Sequence, residues 1–210
     1  MVTYETALFD LDGTLVHTER EYYLTIMNNI IKELKLPQVT DEIIDGFWNS
    51  MDKFSFAQEN FHVPLETIWS TLRKYEDLDF RKKLTKAYND VNYLERLKSL
   101  GFKLGLVTGA SERICKLELS MLPVTFDTII LARPTYGVKL KPDPEGILMA
   151  LRNLNGNLES AFYVGNATED VLAAKSAGVL DISIERGTNK IEAVPTRWIN
   201  SLYDLEFIIS

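Results

Sequence analysis

The sequence predicts an α/β protein: a doubly wound parallel sheet, interrupted near its start by an all-helical insertion. Three observations carry this. The apolar run Ala7-Leu8-Phe9 leads into Asp10-Leu11-Asp12-Gly13-Thr14-Leu15, which reads as a buried strand ending in a turn. From residue 91 onward, short apolar strand patterns alternate with amphipathic helical ones, as in a parallel sheet covered on both faces. Between Leu15 and Leu100 the apolar patterns all have a helical period, so no strand is expected there.

The elements follow in order. Tyr23, Ile26, Met27, Ile30, Ile31 and Leu34 recur at spacings of three and four, predicting a helix that Leu36-Pro37 stops. Thr40-Asp41 opens a second, carrying Ile43, Ile44, Phe47, Trp48 and Met51. A third opens at Pro64-Leu65 and carries Ile68, Trp69, Leu72 and Tyr75, and a fourth runs over Phe80, Leu84, Ala87 and Tyr88. Tyr93, Leu94, Leu97 and Leu100 form the next helix face, closed by Gly101. A strand over 102–107 precedes a helix over 111–122 that starts at the Ser111 hydroxyl. Then come a strand over 128–131, a helix over 144–154 with Pro144 near its first turn, and a strand over 161–164. A helix over 169–177, ended by Gly178, and a strand over 181–184 complete the alternation. The stretch 186–195 has the loosest pattern. The resulting division is a core of 1–15 and 91–210 around a helical insertion of 16–90.

Composition narrows the function. A net charge of −7 over 210 residues argues against a general nucleic-acid binder. No apolar stretch is long enough for a bilayer span, so no membrane partner is expected. Met1-Val2-Thr3-Tyr4-Glu5 shows no basic region followed by an apolar one, so no secretory signal is expected. Cys115 is the only cysteine, which excludes an intramolecular disulfide and a thiolate zinc site and fits a cytoplasmic location.

Four segments carry chemistry. Residues i and i+2 of a strand share a face, so Asp10 and Asp12 can converge just past the strand end. Two such carboxylates suit a hard divalent cation and a covalent phosphoryl acceptor, while an Asp-Gly turn alone explains the same letters. Gly13 permits a sharp turn that the Thr14 hydroxyl can brace. In Thr108-Gly109-Ala110-Ser111, a hydroxyl and the backbone N–H groups of a turn entering a helix make a phosphate seat, or simply a capped turn. In Lys141-Pro142-Asp143-Pro144, two prolines can hold the ammonium of Lys141 as a fixed positive charge, or leave it solvated beside a turn. In Gly165-Asn166-Ala167-Thr168-Glu169-Asp170, oxygen-bearing side chains follow a strand end. Asn166 and Asp170 can complete an oxygen shell, or Asn166 and Thr168 can cap the helix while Asp170 favours its positive end.

The order of these segments, Asp-x-Asp-Gly-Thr, Thr-Gly-Ala-Ser, Lys-Pro-x-Pro and Gly-Asn-x-x-x-Asp, resembles the haloacid dehalogenase-like superfamily over almost the whole chain. The helical segment after the first motif looks like that superfamily's cap domain. The ending Ala193-Val194-Pro195 with Ile199-Asn200-Ser201-Leu202 and Leu205 resembles its phosphoglycolate-phosphatase-like members. The resemblance implies a Rossmann-like core and an Mg²⁺-dependent phosphatase acting on a small phosphorylated metabolite, as a monomer or homodimer. Asp10 would be the nucleophile and Asp12 the proton donor and acceptor. Gly13, Thr108, Gly109 and Lys141 would bind the phosphoryl group. Asp10, the main-chain carbonyl of Asp12, Asp170 and Asn166 would bind the metal. Dehalogenase members lack an aspartate at the position of Asp12, so this chain is expected to do phosphate chemistry. A phosphomutase uses the same four motifs, and a weakened scaffold is a further alternative.

One position departs from the pattern. The fourth motif commonly begins Gly-Asp, and here it is Gly-Asn, which keeps an oxygen at Asn166 and removes a charge. His17 is expected in a solvent-facing loop, His62 as a structural residue and Cys115 in the core. Trp48, Asn49, Asp52 and Lys53 are candidates for reading the leaving group, with Trp48 equally suited to the interior of the helical insertion.

Overall fold

The computed structural model describes residues 3–187 and 191–209. Met1, Val2 and positions 188–190 of the loose stretch lie outside them. The chain forms two compact units, Met1–His17 with Lys86–Ser210, and Thr18–Thr85.

The first unit is built on a six-stranded parallel sheet. Its strands are β1 (Thr6–Phe9), β4 (Lys103–Thr108), β5 (Thr128–Leu131), β6 (Ala161–Gly165), β7 (Leu180–Ile184) and β8 (Arg197–Ile199). Two short strands, β2 (Val16–Thr18) and β3 (Thr85–Ala87), pair separately. The sheet order is β5-β4-β1-β6-β7-β8. From β1 the chain builds outward through β4 and β5, then returns to β1's other side with β6. The strand order therefore reverses at β1, and the carboxyl end of such a reversal is where doubly wound sheets bind ligands.

Alternation along the strands divides the core. Ala7 and Phe9 face one cluster with Leu104, Leu106, Phe162 and Val164, while Leu8 faces the other with Val107, Ala161 and Tyr163. Helices α6 (Tyr93–Ser99) and α7 (Glu112–Leu119) cover the first face through Leu94, Leu97 and Cys115. Helices α8 (Glu145–Leu154) and α9 (Thr168–Ala177) cover the second through Ile147, Ala150, Leu151, Ala173 and Ala174. The C-terminal turn leading to α10 (Glu206–Ile209) returns Leu202 and Leu205 to the first face.

The second unit is helical: α1 (Arg20–Leu34), α2 (Asp41–Asn49), α3 (Lys53–Phe61), α4 (Leu65–Tyr75) and α5 (Leu78–Leu84). Its interior gathers Ile26, Met27, Ile30, Ile44, Phe47, Phe61 and Ile68. Phe47 lies at its aromatic centre, with ring contacts to Trp48, Phe56, Phe61 and Trp69. Such pairs add about 0.5–1.5 kcal/mol each beyond their buried area.

Four elements differ from the sequence reading, two as corrections and two as additions to it. First, β2 and β3 do lie between Leu15 and Leu100. Each is three residues long, and their partners are far apart in sequence, joined at the Thr18 and Thr85 hydroxyls (2.9 Å). Second, α5 stops at Leu84 because Thr85 is already extended, so Ala87 and Tyr88 leave the helix they matched in period. Third, α3 had no clear apolar period, since it buries only Ala57 and Phe61. It is fixed instead by Asp52, which accepts from Ser55 N. Fourth, β8 was missed because only Ile199 of its three residues is buried.

Candidate active site

β1 delivers Asp10 to the reversal point, where the Asp10 N–H donates to Val164 O of β6 at 2.9 Å. The chain then turns tightly: Leu15 N donates to Leu11 O at 2.9 Å and Gly13 N to Val16 O at 2.7 Å. Gly13 has φ +77, and a Cβ there would collide with the Asn166 amide, so the turn requires glycine on both counts. The Gly13 N–H is spent on Val16 O, so what this glycine contributes is the turn itself. The same turn brings the Thr14 hydroxyl 3.2 Å from Asp10 Oδ2 and 3.1 Å from Asn166 Oδ1.

The loop before α8 delivers Lys141. Its Nζ lies 2.6 Å from Asp10 Oδ1, 2.6 Å from Asp170 Oδ1 and 3.1 Å from the Tyr163 hydroxyl. All four residues are almost wholly withdrawn from water. Asp170, in the first turn of α9, folds back so that Oδ2 accepts from Asn166 N and Ala167 N, both at 3.1 Å. A Cβ on Gly165 would collide with the Asp170 carboxylate, so the glycine makes room for this fold-back. Asp170 thereby satisfies donors at the helix start, and the N-cap position is Ala167. Neither Asn166 nor Thr168 caps the helix with its side chain. Asn166 Oδ1 faces Thr14, and Thr168 Oγ1 accepts from Glu192 N at 2.9 Å.

Two buried carboxylates share one ammonium, and the electrostatics follow. Burial pushes the Asp10 pKa up, Lys141 pulls it down, and the charges of Asp170 and Asp12 push it up again, to about 7. Lys141 is held well above its ordinary value: burial opposes its charge, but Asp10 and Asp170 outweigh that. The Tyr163 hydroxyl is likewise driven well up, chiefly by burial.

The remaining expected residues are placed as follows. Asp12 is half-buried, beside Val16, to which it is bridged. Thr108 ends β4, the hydrogen-bonded neighbour of β1, and Gly109 follows it; Thr108 Oγ1 accepts from Ala110 N at 3.0 Å. His17 lies in β2, half-buried, with its ring 6.0 Å from that of Tyr88; the solvent-facing loop expected for it is a strand instead. His62 closes α3 with φ 56, and Cys115 is buried. In the helical unit, Trp48 packs on Tyr23, Phe47 and Trp69, and Lys53 Nζ donates to Ser50 O at 2.7 Å. Sequence reasoning missed Tyr163, in the middle of β6, although a buried tyrosine usually finds a partner for its hydroxyl. It also missed Arg186, which donates to the Thr14 carbonyl, and Asp90, which pairs with Arg186.

The donor set fits a hard cation. Among the described residues no group of three His, Cys, Asp or Glu side chains gathers. Two carboxylates and an amide do: Asp10 and Asp170 share the Lys141 ammonium, and Asp10 and Asn166 share the Thr14 hydroxyl. Oxygen donors of this kind suit Mg²⁺ or Ca²⁺ rather than soft metals.

The family model for haloacid dehalogenase-like hydrolases matches residues 7–184. A phosphoglycolate phosphatase from Aquifex aeolicus is 35% identical over 179 residues, covering 81% of this chain and 80% of its own. The pyrophosphatase PpaX of Bacillus cereus is 28% identical over 213 residues, covering 98% and 96%. Among solved structures, a haloacid dehalogenase-like family hydrolase from Streptococcus pneumoniae superposes with a TM-score of 0.76 at 20% identity, covering 100% of both chains, a likeness of fold. With the match running from β1 through β7, across the strands and loops that bring Asp10, Thr108, Lys141 and Asp170 to one end of the sheet, this chain belongs to the haloacid dehalogenase-like hydrolases.

Proposed function

We propose that this protein is a phosphatase that hydrolyses a small phosphorylated metabolite through an aspartyl-phosphate on Asp10. One observation carries the reading: the Lys141 ammonium sits 2.6 Å from both Asp10 Oδ1 and Asp170 Oδ1 at the point where strand order reverses. A carboxylate nucleophile and a phosphoryl group are both anionic, and a buried cation beside the nucleophile offsets their repulsion. The names of the Aquifex and Bacillus relatives support phosphoryl hydrolysis.

In the first step an Asp10 oxygen attacks phosphorus and the bond from phosphorus to the alcohol oxygen breaks. Asp12, protonated, gives its proton to that departing oxygen. Asp12, now a carboxylate, takes a proton from water as the water oxygen attacks the phosphorus. The bond to Asp10 breaks, inorganic phosphate leaves, and both side chains return to their starting states. Such proton transfers contribute about 10²–10⁴-fold. The Thr108 hydroxyl accepts from Ala110 N, which leaves its own proton for a phosphoryl oxygen. The main chain at Gly109 and the Lys141 ammonium hold the others.

Mg²⁺ is the cation we infer for Asp10, Asp170, Asn166 and the main-chain carbonyl of Asp12, and when bound it would supply further positive charge against the phosphoryl oxygens. The helical unit Thr18–Thr85 is inserted in sequence between the first motif and the other three, and we assign it the role of a cap that excludes water and reads the leaving group. The lone, buried Cys115 supports a cytoplasmic setting, and among the described residues no helix is long and apolar enough to cross a membrane.

The test is hydrolysis of p-nitrophenyl phosphate and inorganic pyrophosphate, with Mg²⁺ and with chelator. Mg²⁺-dependent phosphate release from either supports a phosphatase, and the preferred compound separates ester from anhydride substrates. No release from these or from a panel of phosphorylated metabolites contradicts it.

A further inference from the structure

Behind the turn that follows Asp10 lies a buried ion pair. The side chains of Arg186 and Asp90 are 7% and 9% exposed. Arg186 Nη1 donates to Asp90 Oδ2 and Nη2 to Asp90 Oδ1, both at 2.9 Å, a two-pronged match of guanidinium to carboxylate. Asp90 Oδ2 also accepts from Ser201 Oγ at 3.0 Å and Leu202 N at 2.9 Å. The Tyr88 ring lies against the guanidinium, 3.9 Å from its carbon to the ring centre. Removing two such ions from water costs several kcal/mol each, recovered only when geometry and remaining hydrogen bonds are good. Both conditions are met here.

The fork has one further target. Arg186 Nε and Nη2 donate to the Thr14 carbonyl oxygen at 3.2 and 2.9 Å. The neighbouring peptide is tied as well, with Tyr88 N donating to Leu15 O at 3.0 Å. Thr14 is the residue whose hydroxyl stands 3.2 Å from Asp10 Oδ2 and 3.1 Å from Asn166 Oδ1. Where the Thr14 main chain sits decides where that hydroxyl points.

We propose that Arg186 is a positioning residue for the reaction: paired with Asp90, it clamps the Thr14 carbonyl, so that the Thr14 hydroxyl orients the Asp10 carboxylate for attack. This rests on the phosphatase reading of the site. A lysine would keep the charge but has no planar fork to serve Asp90 and Thr14 together. Small misplacements of reacting groups cost rate steeply, up to about 10²-fold per ångström.

The experiment is steady-state hydrolysis of p-nitrophenyl phosphate by the full chain and by Arg186→Lys, Thr14→Val and the double variant, with folding checked by circular dichroism. Arg186→Lys should lower kcat about 10–100-fold with KM within about threefold. The double variant should be no slower than the slower single, because Arg186 acts through Thr14. A kcat within twofold of the parent overturns the proposal, as does a double variant showing the full product of the two single losses. If Arg186→Lys does not fold, Asp90→Asn takes its place under the same criteria, since it frees the guanidinium from its counter-ion and leaves its link to Thr14 unbraced. An inactive parent fells the phosphatase reading and this proposal together. An active parent with an indifferent folded variant fells this proposal alone.

Discussion

Lys141 Nζ stands 2.6 Å from Asp10 Oδ1 and 2.6 Å from Asp170 Oδ1, bridging a carboxylate that follows β1 and one in the first turn of α9. Replacing it with methionine keeps its length and leaves two buried like charges facing each other. Breaking a buried pair in this way costs about 3–5 kcal/mol. Lys141→Met should therefore lower stability by that order in urea unfolding and drive the Asp10 pKa above its value of about 7. Turnover should fall about 10²–10³-fold, the loss typical of a group that stabilises a transition state. A variant as stable and active as the parent would show that the ammonium is idle.

Asn166 offers a second test. Its Oδ1 shares the Thr14 hydroxyl with Asp10 Oδ2. Asn166→Asp keeps the acceptor and adds a charge to the proposed metal shell. The Mg²⁺ concentration for half-maximal activity should fall, since added charge strengthens a hard-cation site. The maximal rate need not rise, because a further anion opposes an anionic substrate. A metal titration of parent and variant decides. An unchanged midpoint would make Asn166 a structural partner of Thr14.

The turn carrying Asp10, Asp12 and Gly13 was legible because its signals are local: an apolar run, carboxylates two apart, then a glycine at φ +77. Strands β1, β4, β5, β6 and β7 of the parallel sheet were equally legible from alternating periods. The convergence of Asp10 and Asp170 on Lys141 joins residues 131 and 29 apart, and only the order of motifs pointed to it. Arg186 and Asp90, 96 residues apart, carry no motif at all. A lone arginine in a patternless stretch reads as a solvated loop residue until the fold brings its carboxylate to it. The three-residue strands β2 and β3 were hidden for the same reason.

Asp90 makes acid stability predictable. Burial alone would raise its pKa, but hydrogen bonds from Arg186, Leu202 and Ser201 and the charge of Arg186 outweigh that and hold it below the ordinary carboxylate value. A carboxylate depressed in the folded state contributes stability above its unfolded pKa and loses it as pH falls through the folded one. Asp90→Asn should thus be less stable than the parent at pH 7, by about 3–5 kcal/mol for a broken buried pair. The gap should narrow once pH drops below about 3.8, the ordinary value of an aspartate. Urea titrations across this range check it. A gap constant with pH would mean that the amide fails for reasons of packing.

The most direct measurement maps the phosphoryl group itself. The protein is quenched in acid during turnover of a labelled phosphate ester, digested, and its peptides are weighed, with Asp10→Asn treated in parallel. The account predicts a phosphoryl group on the peptide carrying Asp10, removable by hydroxylamine as an acyl phosphate, together with loss of label and turnover in the folded variant. A phosphoryl group on a peptide without Asp10, or parent-like turnover by Asp10→Asn, would contradict it.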